Sequence, residues 1–356
     1  MRLRAHLRRV LTASIAALAL SASVVACGGA DDPAPTSGAA ADFGPTGDAA
    51  WQDIVDKAEQ EGSVTFYSAQ NTAQNEEVAR RFEEAYGITV NVVRDVEANL
   101  QSKLGAEWTT GNVVADVVSQ TGVGWVRSGG EAGRFAVPVG PAFDTAEYHR
   151  DVNFIDDHSF ATAAAIVAFG WNTDRLPDGL TTIDDLLDPE LAGGKVGIQE
   201  PVSASQVDFY QYLESNYGPN FLERLAAQQP RVYPGILPIA QALTSGEVAA
   251  GFSGALTDEV ADGAPVDFGV PEKLWGARFY TSVLTAAPHP NAAQLLANFL
   301  VTPAGQTAYT RKTASVLPDV EGAVATVDRV AQQDLSKLTP ESVDAYRARW
   351  KSLFVS

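Results

Sequence analysis

Four stretches of this sequence place short polar residues directly after an apolar run. They are Ser68, Gln70 and Asn71 after VTFY, Gln120 and Thr121 after ADVVS, Ser203, Ala204 and Ser205 after GKVGIQEPV, and Ser253 and Gly254 after EVAAGF. Serine, threonine, asparagine and glutamine carry compact donors and acceptors. Where a strand runs out and a helix begins, backbone N–H groups are unpaired and sit at the positive end of a helix dipole. The chemistry on offer is a non-covalent grip on a small polar or anionic molecule. A second reading stays open at each helix start: Ser203 or Ser205 fits the N-cap of a helix beginning near Gln206, and Asn71 or Asn75 that of a helix beginning at Glu76. Arg278, two residues before Tyr280, suits bidentate contact with a carboxylate or phosphonate, with a surface ion pair as the alternative.

Covalent chemistry finds less to work with. The nearest approach to a GxSxG nucleophile elbow, GFSGA at 251–255, lacks the closing glycine, and VSQTGVGWVRSGG does not give a dinucleotide GxGxxG. His149, His158 and His289 belong to no HxxxH or CxxC spacing, and His289 in APHPN reads as a turn before a helix. Asp258 and Glu259 read as a solvated helix start. No catalytic residue, resident metal or cofactor is expected.

The elements that must carry these loops alternate between helical and extended periods. WQDIVDKAEQEG has apolar residues at the i, i+3, i+4, i+7 spacing and stops at Gly62, and the strand SVTFYSA follows. A polar turn, the helix NEEVARRFEEAYG and the strand ITVNVVRD complete a βαβ unit. A helix at about 98–107, the strand ADVVSQ at 115–120 and the segment RFAVPV continue the alternation. GGKVGIQEP and EVAAGFSGA repeat it later, separated by helices such as VDFYQYLESNYG. No internal repeat marks a solenoid.

At the start, four arginines within nine residues precede an apolar run from Val10 to Leu20 and then small residues, the three regions of an export signal. VVAC at 24–27 resembles the lipobox of bacterial lipoproteins, which implies cleavage before Cys27 and acylation of its thiol, the only one in 356 residues. The chain is then held on a membrane by lipid and does not span it. The signal covers 1–26 and a Gly-, Ala- and Pro-rich flexible tether 27–48. Without the signal the chain carries 21 Lys+Arg against 44 Asp+Glu, a net charge of −23. Nucleic acid is a poor partner for such a surface. The chain length favours two lobes over one core.

VTFYSAQN at 64–71, RRFEEAYGITVNVV at 80–93, ADVV at 115–118, FGWNTDRLPDGLTTIDDLLDPELAGGKVGI at 169–198, SGEVAAGFSGA at 245–255 and APHPNAAQLLANFLVTPAGQ at 287–306 follow one another in an order that resembles the solute-binding proteins of ABC importers, in the branch that includes ferric-ion-binding proteins. The resemblance covers most of residues 62–317. It implies an α/β fold of the two-lobed type 2 periplasmic-binding-protein kind, each lobe a mixed sheet flanked by helices, joined by crossing strands at 162–174 and 276–287. Lobe 1 is then 49–165 with 283–325, lobe 2 is 166–282, and helices in 326–356 pack on one lobe. Arg278 and Tyr280 line the cleft floor, and Trp171 packs at the hinge. A small-molecule ligand, a membrane permease and a monomeric state are the implied partners and assembly. Ferric-ion relatives carry an adjacent tyrosine pair after the strand matching EVAAGF. Here the sequence reads SGALTDEV, so a polar, anionic solute is preferred, with ferric iron or an iron chelate as one alternative and a tethered surface interaction protein as another.

Overall fold

Helical periodicity and glycine punctuation build the first elements. The computed structural model describes residues 48–331 and 333–355, so the expectations for the export signal, Cys27 and all but the last residue of the tether lie outside the described residues. Helix α1 (Asp48–Glu61) buries Ile54 and Ala58 and ends at Gly62, whose left-handed backbone (φ 69°) few other residues adopt without strain. Strand β1 (Ser63–Ser68), helix α2 (Thr72–Tyr86) and strand β2 (Thr89–Arg94) form the expected βαβ unit, with β1 and β2 parallel. Helix α2 starts a turn before the sequence suggests, because Thr72–Asn75 carry no apolar stripe to mark it. Asn71 occupies the N-cap position without a side-chain cap bond, and Asn75 is buried, its Nδ2 donating to the Gln70 carbonyl at 3.0 Å.

The chain continues through α3 (Glu97–Thr110), β3 (Val117–Gln120), α4 (Val123–Glu131), β4 (Phe135–Ala136), α5 (Arg150–Asn153) and β5 (Ser159–Ile166). It then builds a second sheet from β6 (Ala168–Asn172), β7 (Val196–Gln199), α6 (Ala204–Tyr217), α7 (Phe221–Ala227), β8 (Arg231–Tyr233), α8 (Ile236–Thr244), β9 (Ala250–Ser253), α9 (Thr257–Ala261) and β10 (Val266–Gly269). It returns with β11 (Gly276–Leu284), α10 (Pro290–Leu300), α11 (Pro303–Tyr309), β12 (Ala314–Ser315) and β13 (Ala325–Thr326), and ends with α12 (Pro340–Phe354). The larger sheet has the order β13-β12-β5-β11-β3-β1-β2, with β4 also pairing β11, and the smaller has β10-β6-β9-β7-β8. Both mix parallel and antiparallel pairs.

Strand parity sorts the cores, since alternate side chains face opposite sides of a sheet. Phe66 and Val117 join Phe82, Phe160 and Phe299 on one face of the larger sheet, while their neighbours Tyr67 and Val118 pack with Leu100 and Leu104 on the other. The smaller sheet is likewise covered on both faces, by clusters around Ile198 and Phe209 and around Ile239 and Leu243. Two sheets, each with its own cores, make two lobes.

The chain passes between the lobes three times. Val167 joins β5 to β6, residues 270–275 join β10 to β11, and the stretch after Val330 leads from the larger lobe to α12. The passages are bonded to one another: Val167 N–H donates to the Trp275 carbonyl at 3.2 Å, and Ala331 N–H to that of Leu274 at 2.9 Å. The second crossing is therefore not 276–287. Every residue of β11 pairs within the larger sheet, so the expected end of lobe 2 at 282 falls inside a strand of lobe 1. Trp171 also departs from expectation, packing within the smaller lobe against Phe169 and Gly179. The hinge tryptophan is Trp275, whose indole N–H donates to the buried carboxylate of Asp208 on α6 at 2.6 Å. Helix α12 packs on α6 and α7, which places it on the smaller lobe.

Candidate functional site

At the waist of the molecule lies a cavity of about 510 Å³ whose walls come from both the larger lobe and the passages. Its floor is β11, whose Gly276, Arg278 and Tyr280 recur at the strand period and face it together. Thr121, after β3, and Val123 and Arg127, one turn apart on α4, form one wall, with Asp151 of α5 beyond. Gln333, Asp334 and Ser336 of the third passage form another. Gln333 Nε2 also donates to Ser205 Oγ at 3.2 Å, which brings the N-terminal turn of α6 to the rim.

Arg278 is the best-defined group here. Its side chain is 7% exposed, yet no carboxylate lies within ion-pair distance among the described residues, so the surface ion-pair alternative is corrected. Its guanidinium donates instead to three backbone carbonyls, those of Val152 (3.3 Å), Val327 (3.1 Å) and Val330 (2.7 Å), and its Nε–H has no partner. Burial raises the Tyr280 phenol above its ordinary pKa, while Arg278 and Arg127 pull it back, so the hydroxyl stays neutral and able to donate at physiological pH. Thr121 Oγ donates to Glu97 Oε2 at 2.7 Å, and that carboxyl group lies against Gly122.

Of the sequence-derived candidates, the fold thus brings Thr121, Arg278 and Tyr280 to one cavity and Ser205 to its edge. The others go elsewhere. Ser68 is buried against the Tyr309 hydroxyl (3.3 Å), which also meets Ser119 (2.9 Å). Gln70 and Gln120 are buried, accepting from the Asn71 N–H and from Gln101 respectively, each with an unpartnered amide nitrogen. Asn71 opens on a separate cavity of about 680 Å³ with Gln74, Glu77, Arg81, Arg311 and Lys312. Ser253 is fully buried with its hydroxyl beside Gly170 in the smaller lobe, and Gly254 follows in the turn. Ser203 and Ala204 are exposed, and Ser203 caps α6 in a reciprocal box with Gln206. A cap of this kind makes Ser203→Ala cost about 1 kcal/mol and Ser203→Gly only a few tenths, a difference that urea unfolding midpoints will read.

Sequence reasoning missed Arg127, Asp151, Gln333, Asp334 and Ser336. The i, i+4 spacing of Val123 and Arg127 on the first helix after ADVVSQ was a usable signal. The third passage offered none. Among the described residues no group of three or more His, Cys, Asp and Glu is placed to hold a metal ion, and no helix is long and apolar enough to cross a membrane. His289 leads into α10 and pairs with Asp116, Nδ1 to Oδ2 at 3.0 Å, away from the cavity.

Two α/β lobes hinged around a polar cavity define a binding protein of the type 2 periplasmic kind. The chain belongs to the bacterial extracellular solute-binding protein family, whose family model matches residues 77–336. Iron-bound HitA from Pseudomonas aeruginosa shares the fold at 17% identity, over 82% of this chain and 99% of that one, with a TM-score of 0.62. AfuA from Actinobacillus pleuropneumoniae, with exogenous fructose-6-phosphate bound, does so at 22% identity, over 82% and 98%, with a TM-score of 0.59. The substrate-binding protein of an ABC transporter from Agrobacterium tumefaciens gives 14%, 83%, 96% and 0.64. No curated protein matches by sequence. The protein is accordingly a solute-binding component of the ABC importer class, from a family that works outside the cytoplasm.

Proposed function

We propose that this protein captures a small anionic solute in the waist cavity and hands it to a membrane permease, held at the membrane by lipid on Cys27 after loss of residues 1–26. The observation that carries the reading is the buried Arg278 guanidinium, with an unpartnered Nε–H and no carboxylate within ion-pair distance, beside a cavity that also holds Arg127 and a neutral Tyr280 phenol. A buried cation without a counter-charge is costly, and an anion accepting from these donors offsets that cost. Gln333 and Ser205 add neutral hydrogen bonds from separate elements, so a solute touching both of them and the cations favours the closed arrangement of lobes. AfuA carries a sugar phosphate and a Trichodesmium relative iron with citrate, both bearing anionic oxygens. Here the segment 253–260 has no tyrosine for bare ferric iron, which favours phosphate esters, phosphonates and carboxylates.

The test is a thermal-shift screen of such anions on the full chain, followed by calorimetry. A true solute raises the melting temperature with concentration. Arg127→Ala is expected to weaken it by roughly tenfold or more, the scale of a lost charge-assisted hydrogen bond. Unchanged affinity in that variant removes the cavity from the reading.

A further inference from the structure

A cluster of charges that touches neither the waist cavity nor the three passages joins the two lobes directly. Asp258 and Glu259 begin α9 in the smaller lobe, and Arg311 and Lys312 follow α11 in the larger one. Arg311 Nη2 lies 2.6 Å from Asp258 Oδ1, and Lys312 Nζ lies 2.7 Å from Asp258 Oδ2 and 3.5 Å from Glu259 Oε2. Among the described residues these are the ion pairs that connect the lobes. The cationic side is rigidly presented. Lys312 sits in the left-handed backbone region (φ 64°), unusual for a residue with a side chain, and its N–H is tied to the Gly322 carbonyl at 2.9 Å. The Arg311 carbonyl accepts from Gln74 Nε2 of α2 at 3.0 Å. The two cations hold the Asp258 carboxyl below its usual range, Lys312 contributing most.

We infer that Asp258, Glu259, Arg311 and Lys312 form an electrostatic latch that sets the resting balance between open and closed lobes, and thereby the solute affinity, without touching the solute. The inference rests on the capture reading only in assuming that the lobes move. None of the four lines the waist cavity, so their effect on a solute held there enters through the closed population: apparent affinity scales with the fraction of protein in the binding-competent state. Single exposed pairs contribute little, whereas a three-contact network shifts an equilibrium by about 3- to 10-fold. Such pairs weaken as salt shortens the screening length.

The experiment measures interlobe distance in the full chain carrying Cys27→Ser, with spin labels at Ala85→Cys on α2 and Gln241→Cys on α8, both exposed positions outside the latch. No solute is needed. Asp258→Asn with Glu259→Gln, and separately Arg311→Glu, are each expected to raise the open-to-closed ratio by about 3- to 10-fold. Raising sodium chloride to about 0.5 M should reproduce the shift in the parent chain. Exchanging all four charges (D258K, E259K, R311E, K312E) should restore the short distance, an outcome that loss of local structure in α9 would not give. Identical distributions in parent and variants overturn the latch. If inorganic phosphate or a sugar phosphate shortens the distance equally in all of them, capture stands and the latch falls. If salt and the variants shift the distance while no anion does, the latch stands and the capture reading fails.

Discussion

Arg278→Met is expected to lower unfolding stability by about 3–5 kcal/mol and to abolish measurable solute binding, because one side chain serves both the fold and the cavity. Methionine keeps the length and apolar bulk of the arginine stem but has no donors. The carbonyls of Val152, Val327 and Val330 then lose their N–H partner, the last two of them at buried contacts and that of Val152 at the cavity edge. Leaving a buried acceptor unsatisfied costs ~1–3 kcal/mol, and the three share one environment, so their costs do not simply add. The loss falls on the third passage, since two of the three acceptors lie in 327–330. Arg278→Lys separates the two roles. An ammonium keeps the charge but cannot span three carbonyls with a planar fork, so its unfolding midpoint should fall nearly as far while weak anion binding survives. Urea denaturation followed by tryptophan fluorescence reads the first effect, and calorimetry with the anion found by screening reads the second. A methionine variant within 1 kcal/mol of the parent chain would falsify the structural role given to the Arg278 hydrogen bonds.

Much of the fold was legible because local and tertiary signals agree. The helix-strand alternation from Trp51 to Arg94 is punctuated by Gly62 and Gly87, both left-handed in the structure (φ 69°) and each closing a helix whose apolar stripe is plain, whereas the helix expected at about 98–107 runs on to Thr110 before Gly111. Where the signals part, sequence reading failed for identifiable reasons. GARFYTSVL is a nine-residue strand that looks the same whether it crosses between lobes or completes a sheet, and only its partners β3, β4 and β5 decide. The true crossing, VPEKLW, is short and has no period. Two serines of one chemical type, Ser205 and Ser253, have opposite fates. One sits in the first turn of α6, where Gln333 reaches it, and the other ends β9 on a face closed over by Leu243 and Leu256. Arg278 was visible as a cation, but its meaning depends on carbonyls about 50 and 126 positions away, which no local pattern encodes.

Trp350→Ala should cost about 3–5 kcal/mol, the range for truncating a fully buried large aromatic, whereas Arg349→Ala should cost about 1 kcal/mol or less. The two residues are neighbours on α12 and compete as explanations of why that helix stays on the smaller lobe. Arg349 has the more conspicuous contacts, 2.7 Å to Glu214 and 2.9 Å to Glu223, and the arginine lowers the Glu223 pKa. But Arg349 and Glu223 are both substantially exposed, so water and salt screen much of that attraction. Trp350 is 0% exposed, packed between Tyr210 (centroids 5.8 Å apart) and Phe354 (4.7 Å), and it belongs to the same cluster as Phe209 and the hinge residue Trp275. Burial should therefore dominate over charge. The consequence extends to the site, because α6 lies under α12 and presents Ser205 to Gln333 from its first turn. A loosened α12 should widen the distribution of that contact and raise hydrogen exchange along 204–217 in Trp350→Ala, leaving Arg349→Ala close to the parent chain. Equal losses in the two variants, or a larger one for Arg349→Ala, would mean that the ion pairs hold the helix and the aromatic packing is secondary.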